Sequence, residues 1–416
     1  MYEIHPPALY IHERALATPE RRARVERMLP HIHCEPETVD DARLNKISEA
    51  GEWLARGGWR TGQWNLAGDP VLVLNAFTWE PPEIVAERRR HLPALAMRML
   101  DGAGAWTLRD GRRYAELYGT VCQDAWELHS AFGCLHRCDY CHIGGFANIM
   151  VNLEELVERL PGLLDANPWL QLYKYDNQTD TIAFEPEYGA SRLMVEFFAT
   201  RDREHLMLYT KSDNVDHLLD LEPRGQTIVS FTISSPTVAE RIEHATPSTA
   251  QRLAAAAKAQ GAGYVPRVRF SPIVPIEGWR EELRALIEAL LARVTPDVIT
   301  IDLLGWMNPD HLDEILDTSL LDPRFLRGMR ELFADGPPGP GYWPSVKHIF
   351  PHELRREAYE FVIDEVARRA PRPRVSLCNE TTRMWEELGP RLGMTPEDYI
   401  CGCGPTSVPG NALFSA

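Results

Sequence analysis

From about residue 122 onward, apolar runs and amphipathic segments alternate along the chain in a regular order. Six runs predict strands, because they are short, rich in branched and aromatic residues, and bounded by polar residues. They are AWELHSAFG, WLQLYKYD, HLMLYTKS, QTIVSFTISS, YVPRVRFSPIVP and DVITIDLLGW. A helical pattern follows each run, for example ASRLMVEFFATR after the second. Strand–helix units in succession predict parallel strands with helical crossovers, and therefore an α/β fold built on a partial (β/α)6 barrel.

The first part of the chain has a different pattern. Residues 1–120 mix Arg-rich helical stretches such as TPERRARVERMLPHI with one apolar run, PVLVLNAFTW, that predicts a strand. We therefore expect three regions: an N-terminal α/β region over 1–120, the partial barrel over 121–315, and a cysteine-containing C-terminal extension over 316–416 that covers the active site. In such barrels the chemistry is located at the C-terminal ends of the strands.

Charge and hydropathy narrow the classes of partner. The 416 residues carry a formal net charge of −16, with a pI near 5.4. Affinity for DNA comes mostly from Lys and Arg side chains that neutralise phosphates, so stable binding to DNA is not expected. No apolar run is long enough to span a membrane, and the first residues lack the pattern of a signal peptide. We therefore expect a cytoplasmic protein with no membrane partner.

Three of the eight cysteines lie in one loop that follows the first predicted strand. The stretch AFGCLHRCDYCHIGG places them at Cys134, Cys138 and Cys141. In a reducing compartment, clustered cysteines are metal ligands or catalytic thiols more often than disulfides. A structural zinc site needs four ligands, and His136 or His142 would have to complete an unusual set. A four-iron, four-sulfur (4Fe–4S) cluster held by three thiolates instead leaves one iron free to bind another molecule.

The spacing of these cysteines resembles the signature of radical S-adenosylmethionine (radical SAM) enzymes. The stretches LYTKSDNVDHLL, VSFTISSPTVAERIEHATPS and RVRFSPIVPIEGW follow in an order that resembles the spore photoproduct lyase family, over roughly residues 120 to 310. This resemblance implies a radical SAM barrel, a 4Fe–4S cluster, S-adenosylmethionine as cofactor, and an electron donor such as flavodoxin or ferredoxin. It also implies that reductive cleavage of the cofactor releases a 5′-deoxyadenosyl radical.

The resemblance assigns roles to individual residues. The three loop cysteines would hold the cluster, and a set of polar residues would contact the cofactor. These are Tyr140, Lys211, Ser212, Ser230, Thr232, Ser234 and Arg269. The three hydroxyl residues of the fourth predicted strand alternate, so they share one face, and Arg269 resembles an arginine that pairs with the cofactor carboxylate. The alternatives are that Lys211 is a solvated charge at a strand end and that Ser230 is an ordinary sheet residue.

Two features depart from the family pattern near the implied site. The lyases return a hydrogen atom to their product from a cysteine beyond the second strand, and here residues 173–189 contain no cysteine. Tyr173 and Tyr175 are nearby phenols that could act instead, although core packing is the commoner role of strand tyrosines. His142 stands where the lyases commonly have an aromatic residue, so it either donates protons or packs against the loop.

The tail is a third departure. LCNETTRMWEELGP and DYICGCGPTSVPG add Cys378, Cys401 and Cys403. Glycines beside a Cys-x-Cys allow the backbone to approach a metal closely, so a second 4Fe–4S cluster is a hypothesis, with Cys34 or Cys122 as a fourth ligand. The alternative is that all of these are buried thiols without a metal.

Three functions follow as hypotheses. The first is a radical SAM enzyme that abstracts hydrogen from a small, nucleoside-like or nucleotide-like substrate, with rearrangement, epimerisation or sulfur insertion in natural-product tailoring. The second is spore photoproduct lyase-type repair of thymine dimers in DNA. The third is a non-enzymatic iron–sulfur or zinc binding protein. The acidic charge, the missing donor cysteine and the tail cysteines favour the first hypothesis.

Overall fold

The computed structural model describes residues 1–50, 68–141, 143, 145–335, 346–370 and 373–414. The strands are β1 (Leu9–His12), β2 (Pro36–Val39), β3 (Val71–Asn75), β4 (Trp106–Arg109), β5 (Thr120–Val121), β6 (Ala125–Leu128), β7 (Ala131–Phe132), β8 (Arg137–Cys138), β9 (Phe146–Met150), β10 (Leu172–Tyr175), β11 (His205–Thr210), β12 (Thr227–Thr232), β13 (Glu243–His244), β14 (Val265–Ile273), β15 (Val298–Leu303), β16 (Arg374–Leu377) and β17 (Glu380–Thr381).

The α-helices of these residues are α1 (Pro19–Met28), α2 (Asp41–Ala50), α3 (Pro82–His91), α4 (Gly111–Tyr118), α5 (Leu153–Ala166), α6 (Ala190–Phe198), α7 (Pro236–Arg241), α8 (Thr249–Gly261), α9 (Trp279–Leu291), α10 (Leu312–Ile315), α11 (Pro323–Leu332), α12 (His352–Arg369) and α13 (Thr382–Leu392). None of these helices combines the length and the apolar composition that a membrane span requires.

An eight-stranded sheet has the order β16-β15-β14-β12-β11-β10-β6-β4. The six strands predicted from the sequence are β6, β10, β11, β12, β14 and β15, and they pair in parallel in chain order. The α/β class with parallel strands is therefore confirmed. The sequence does not predict the two edge strands, β4, which pairs antiparallel, and β16, which pairs in parallel. Both are only four residues long and mix polar with apolar side chains.

Alternation along the strands gives this sheet two different faces. On β10, Tyr173 packs against Phe198 of α6, with ring centroids 5.9 Å apart. The next residue, Lys174, donates a hydrogen bond to Glu127 of β6 and lies 5.2 Å from the ring centre of Tyr209 on β11. Helices therefore cover the side that carries Tyr173. The opposite side, which carries Lys174 and Tyr209, is called the polar face below.

A second, five-stranded sheet has the order β2-β1-β3-β9-β7. The predicted strand of the N-terminal region is β3, and it pairs in parallel with β1 and with β9. Because β9 directly follows the cysteine loop, this sheet joins the first hundred residues to that loop. All five residues of β9 are buried, which fixes the loop at its C-terminal side.

The cysteine loop lies between β7 and β9 and is held in place by a short antiparallel pair. Within the loop, β8 pairs with β13, and Cys138 lies opposite Glu243. Gly133 begins the loop with φ +101°, and a Cβ there would lie 1.9 Å from the Phe146 carbonyl oxygen. Only glycine allows the chain to pass this closely with that backbone conformation.

A two-stranded antiparallel pair of β5 and β17 joins the segments beside the two edges of the large sheet. β5 lies between β4 and β6 in the chain, and β17 follows β16, so the pair draws the two edges toward each other. The tail crosses the same place, which we call the seam. Gln123 Nε2 donates to the Tyr399 carbonyl oxygen at 2.9 Å, and the Ser376 hydroxyl donates to the Ile400 carbonyl oxygen at 2.5 Å.

Candidate functional site

A cavity of about 170 Å³ lies at the C-terminal ends of the parallel strands, between the polar face and the cysteine loop. The loop and the ends of four strands form its wall. The lining residues are Cys134, His136, Cys138, Tyr140, Cys141, Ile143, Asn177, Thr179, Asp180, Tyr209, Thr210, Lys211, Thr232, Arg269 and Ser271. This is the end of a parallel sheet at which barrel enzymes carry out their chemistry.

All three cysteines of the loop reach this cavity. Cys138 is buried, and Cys134 and Cys141 are partly exposed. Burial raises the pKa of the Cys138 thiol to about 12. Burial and then the Asp180 carboxylate raise the pKa of the Cys134 thiol well above its ordinary value. Both thiols hold their protons at neutral pH until a metal displaces them.

The donor set fits an iron–sulfur cluster better than a zinc site completed by His136. The Nε2 of His136 lies 3.0 Å from the Asp180 carboxylate, and its Nδ1 lies 2.7 Å from the Ala245 carbonyl oxygen. Both ring nitrogens therefore face protein oxygens at hydrogen-bond distance, so His136 is engaged within the protein and is not aimed at a metal beside the thiols. Within the described ranges, no three Cys, His, Asp or Glu side chains are placed to ligate a single metal ion. Three thiolates on separate irons do not need to converge in that way.

A buried carboxylate positions Tyr140 and Lys211 at the cavity wall. Glu243 accepts hydrogen bonds from Lys211 Nζ at 2.6 Å, from the Ser234 hydroxyl at 2.7 Å and from the Tyr140 hydroxyl. Its other oxygen accepts from Arg252 Nη1 at 2.6 Å. Burial opposes ionisation, but Lys211 and Arg252 hold the pKa of Glu243 well below its ordinary value. The Lys211 ammonium also lies 5.1 Å from the centre of the Tyr140 ring.

Asp180 is a second buried carboxylate, and it connects the loop to the end of β11. It accepts hydrogen bonds from the Thr210 hydroxyl at 2.9 Å, from the Lys211 backbone N–H at 2.7 Å and from the His136 ring. Burial alone would raise the pKa of Asp180, but these donors, His136 first, hold it below its ordinary value. The loop and the strand end are therefore fixed relative to each other.

Arg269, for which the resemblance implies a place beside the cofactor, lines the cavity from β14. Its guanidinium lies 4.8 Å from the ring centre of Tyr209, and its Nη2 donates to the Ser271 hydroxyl at 3.1 Å. The same Nη2 lies 3.9 Å from the sulfur of Cys378. Burial disfavours the charge, but Tyr209 and nearby thiols raise the pKa of Arg269 above its ordinary value. A guanidinium charged at all relevant pH values is suited to bind a carboxylate.

The predicted hydroxyl residues have different surroundings. Thr232 lines the cavity, and Ser234 bonds to Glu243 instead. Ser230 lies deeper in β12, fully buried, with no hydrogen-bond partner among the described residues. Ser212 lies 2.6 Å from the Tyr2 hydroxyl and holds the N-terminal segment, away from the cavity wall. Of the four, Thr232 is therefore placed to touch a molecule in the cavity.

Tyr173 and Tyr175 do not line the cavity, which corrects the expectation that either phenol faces a substrate there. Strand alternation explains this, because Lys174 between them points to the polar face and the two tyrosines point to the helix-covered side. Tyr175 contacts the Ser130 hydroxyl on that side. The third predicted catalytic residue, His142, lies outside the described residues.

The tail cysteines lie at the seam and not in the cavity wall. Arg109 Nη2 on edge strand β4 donates to Cys403 at 2.9 Å. Gln171, at the start of β10, donates its backbone N–H to the Pro405 carbonyl oxygen at 2.8 Å. The segment around Pro405 therefore lies beside the N-terminal ends of the strands. The expectation was that the extension covers the active site, and this part of it does not cover the cavity.

Glu243, Arg252 and Asp180 belong to the site although no sequence motif points to them. Glu243 lies within VSFTISSPTVAERIEHATPS, a stretch that carries part of the family resemblance. The stretch does not reveal which residues Glu243 contacts. A carboxylate that is completely buried requires a charged partner. Burial of a particular Asp or Glu is not visible in a single sequence.

Comparison with known proteins identifies relatives of the chain. Residues 122–305 match the family model described as Spore photoproduct lyase. Spore photoproduct lyase from Bacillus subtilis (strain 168) is 29% identical over 184 residues, which are 42% of this chain and 54% of that protein. This chain is related to the spore photoproduct lyases. The lyase from Geobacillus sp. (strain Y412MC61) is 28% identical over 167 residues, 38% of this chain and 49% of that protein.

The resemblance seen in the sequence is thereby confirmed, and the matched segment spans about half the length of these curated relatives. The fold agrees over more of the chain. A spore photoproduct lyase mutant with bound AdoMet and dinucleoside spore photoproduct has a TM-score of 0.62 at 18% identity, covering 91% of this chain and 100% of that one. A spore photoproduct lyase complexed with dinucleoside spore photoproduct has a TM-score of 0.59, covering 91% and 98%.

Proposed function

We propose that this lyase-like chain is a radical SAM enzyme that cleaves S-adenosylmethionine at the cavity at the strand ends. The observation that carries the proposal is the convergence of the three loop cysteines with Lys211, Asp180 and Arg269 on one cavity. The family match over residues 122–305 includes all of these residues and supports the same function. A non-enzymatic iron–sulfur or zinc protein would not explain why charged side chains gather at the strand ends beside the cysteine loop.

The roles proposed for the chain follow from its contacts. Cys134, Cys138 and Cys141 would hold a 4Fe–4S cluster, with the large sheet as a partial radical SAM barrel. When bound, the cluster and S-adenosylmethionine supply a 5′-deoxyadenosyl radical, using an electron from a donor such as flavodoxin or ferredoxin. Arg269 binds the cofactor carboxylate through its fixed donors. Tyr140, held through Glu243, provides an aromatic surface for the adenine.

For the substrate we propose a thymine-dimer photoproduct. Two relatives of known structure hold a dinucleoside spore photoproduct, and their fold covers 91% of this chain. This similarity favours the repair hypothesis over the natural-product hypothesis, which the sequence alone favours. A dinucleoside has far fewer phosphates than long DNA, so a protein with a net charge of −16 repels it less.

The proposal is tested with anaerobically reconstituted protein, S-adenosylmethionine, dithionite and dinucleoside spore photoproduct. We expect conversion of the photoproduct to the unlinked dinucleoside in the wild-type protein and none in Cys138→Ala. If 5′-deoxyadenosine accumulates while the photoproduct stays intact, the substrate is wrong and the radical SAM assignment stands.

A second candidate substrate is a small nucleoside-like molecule. The observation in its favour is that, among the described residues lining the cavity, thiols come only from the cysteine loop. If those thiols ligate a cluster, no lining thiol remains to return a hydrogen atom to a repaired product. Stimulation of cofactor cleavage by mononucleosides, with no repair of the photoproduct, would support this candidate.

A further inference from the structure

Four cysteines lie together at the seam, although they come from three separated segments. Cys122 follows β5, Cys378 follows β16, and Cys401 and Cys403 belong to the tail. β5 and β17 are antiparallel with Val121 opposite Glu380, so continuing that register places Cys122 opposite Asn379, the residue that follows Cys378. Cys401 Sγ donates to Oε1 of Gln123, the residue after Cys122, at 3.5 Å, and Cys122 lies near Cys378 and Cys403.

The glycines beside Cys403 allow the tail to pack this closely. A Cβ at Gly402 would lie 2.8 Å from the Thr300 hydroxyl oxygen. A Cβ at Gly404 would lie 1.9 Å from Gln123 Oε1. A side chain at either position would require Thr300 or Gln123 to move. The two glycines therefore let the tail pack against these side chains as they stand.

The thiols face an excess of positive charge. Arg109, Lys174 and Arg269 all act on Cys403, and Arg109 Nη2 donates to its sulfur at 2.9 Å. Glu127 bonds to Lys174 at 2.9 Å and lies 3.8 Å from Arg109, so this one carboxylate is shared by two cations. Arg269 Nη2 also lies 3.9 Å from the Cys378 sulfur, so two guanidinium groups are in contact with the sulfurs, an environment that suits a group of negative charge.

Other charges near this site already have partners. Asp302 bonds to Lys347, and Arg267 bonds to Asp297. Arg109 and Lys174 share the single carboxylate of Glu127, so the surroundings of the four thiols carry a net positive charge among the described residues. A cubane core ligated by four thiolates carries a net charge of about −2, which offsets this positive charge.

We propose that Cys122, Cys378, Cys401 and Cys403 bind a second 4Fe–4S cluster at the seam, with every iron ligated by a protein thiolate. Each iron of such a cluster takes its own sulfur, so the thiols need not converge on one point, and in the described part of the chain they do not. Cys34, the other cysteine considered as a fourth ligand, lies near Tyr10 of the smaller sheet.

A cluster with four protein ligands has no open iron, so it does not anchor a substrate. Its place between the edge strands and the tail means that it fastens the tail across the seam, because assembly of a metal site and ordering of its ligands are coupled. The four cysteines lie outside the cavity wall, although Arg269 reaches both places, and the proposal does not depend on the function proposed above.

The first test uses the Cys134→Ala/Cys138→Ala/Cys141→Ala protein, which lacks the loop ligands and keeps the seam intact. After anaerobic reconstitution with iron and sulfide, we expect about four irons and about four sulfides per chain. After dithionite reduction, we expect an electron paramagnetic resonance (EPR) signal that S-adenosylmethionine does not shift. Protein without bound iron, or with stoichiometric zinc in its place, would overturn the proposal.

A second measurement needs no substitution. Reduced wild-type protein should show two cluster signals, of which S-adenosylmethionine shifts one and leaves the other unchanged. A single signal that shifts completely contradicts a second cluster. Conversely, a retained unshifted signal in wild-type protein that cleaves no S-adenosylmethionine would refute the proposed function and leave the seam cluster in place.

A matched pair of variants identifies the fourth ligand. In the background without loop cysteines, Cys122→Ala should lower the iron content at least about twofold, because a cubane that loses a thiolate loses its stability. Cys34→Ala, in the smaller sheet, should leave the iron content unchanged. Equal iron in the two variants would overturn the assignment of Cys122.

Discussion

Replacing Glu243 with glutamine should destabilise the protein by about 3 to 5 kcal/mol. Glu243 is completely buried and is bonded at 2.6 Å both to Arg252, also completely buried, and to Lys211, whose side chain is 16% exposed. The substitution keeps the shape of the side chain but removes the charge that compensates these two cations. Breaking a buried ion pair from one side costs about 3 to 5 kcal/mol. The glutamine oxygen still accepts one hydrogen bond, so we expect the lower end.

The assay is anaerobic urea unfolding followed by tryptophan fluorescence, with the exposed Glu240→Gln on α7 as the matched control. The pKa of Glu243 is lowered in the folded state, so its contribution is present above about pH 4.3 and is lost as pH falls through the folded value. The gap between wild type and Glu243→Gln should therefore be constant near neutral pH and shrink in acid. A gap below about 1 kcal/mol at neutral pH would refute this ion-pair network.

Three further predictions concern single residues. Arg269→Ala should weaken S-adenosylmethionine binding by about 10-fold to 100-fold without lowering iron content, because the variant loses the binding free energy of a charge-assisted hydrogen bond. Unchanged affinity in equilibrium dialysis would exclude its proposed role. Tyr173→Phe should leave product yield unchanged and the free energy of unfolding equal or higher. The Tyr173 hydroxyl is buried on the helix-covered side without a hydrogen-bond partner among the described residues. A loss of product would contradict this placement. Ser248→Ala should cost about 1 kcal/mol in urea unfolding, because Ser248 and Gln251 form the capping box of α8, and Ser248→Thr should restore most of it.

The strands and the cysteine loop could be predicted from sequence because their signals are local. Each of the six central strands is a short run dominated by apolar residues, and Cys134, Cys138 and Cys141 lie within eight residues of each other. The edge strands β4 and β16 could not be predicted, since four half-polar residues form a strand only when a neighbouring strand is present.

Contacts between residues far apart in the chain could not be predicted from the sequence. Cys401 and Gln123, which touch at the seam, are 278 positions apart, and Glu243 and Lys211 are 32 apart. The side of the sheet on which Tyr173 lies was also undetermined. All four residues of β10 are buried, and both Tyr173 and Lys174 carry polar atoms, so their alternation does not reveal which side faces the cavity.

The central claim is tested most directly by 5′-deoxyadenosine formation under anaerobic conditions with S-adenosylmethionine and dithionite. We predict that wild-type protein forms it, and that Cys134→Ala, Cys138→Ala and Cys141→Ala each do not, because three thiolates are needed to hold the cluster with one open iron. The variant Cys34→Ala should match the wild type. Formation of 5′-deoxyadenosine by any of the three loop variants at the wild-type rate would contradict the account.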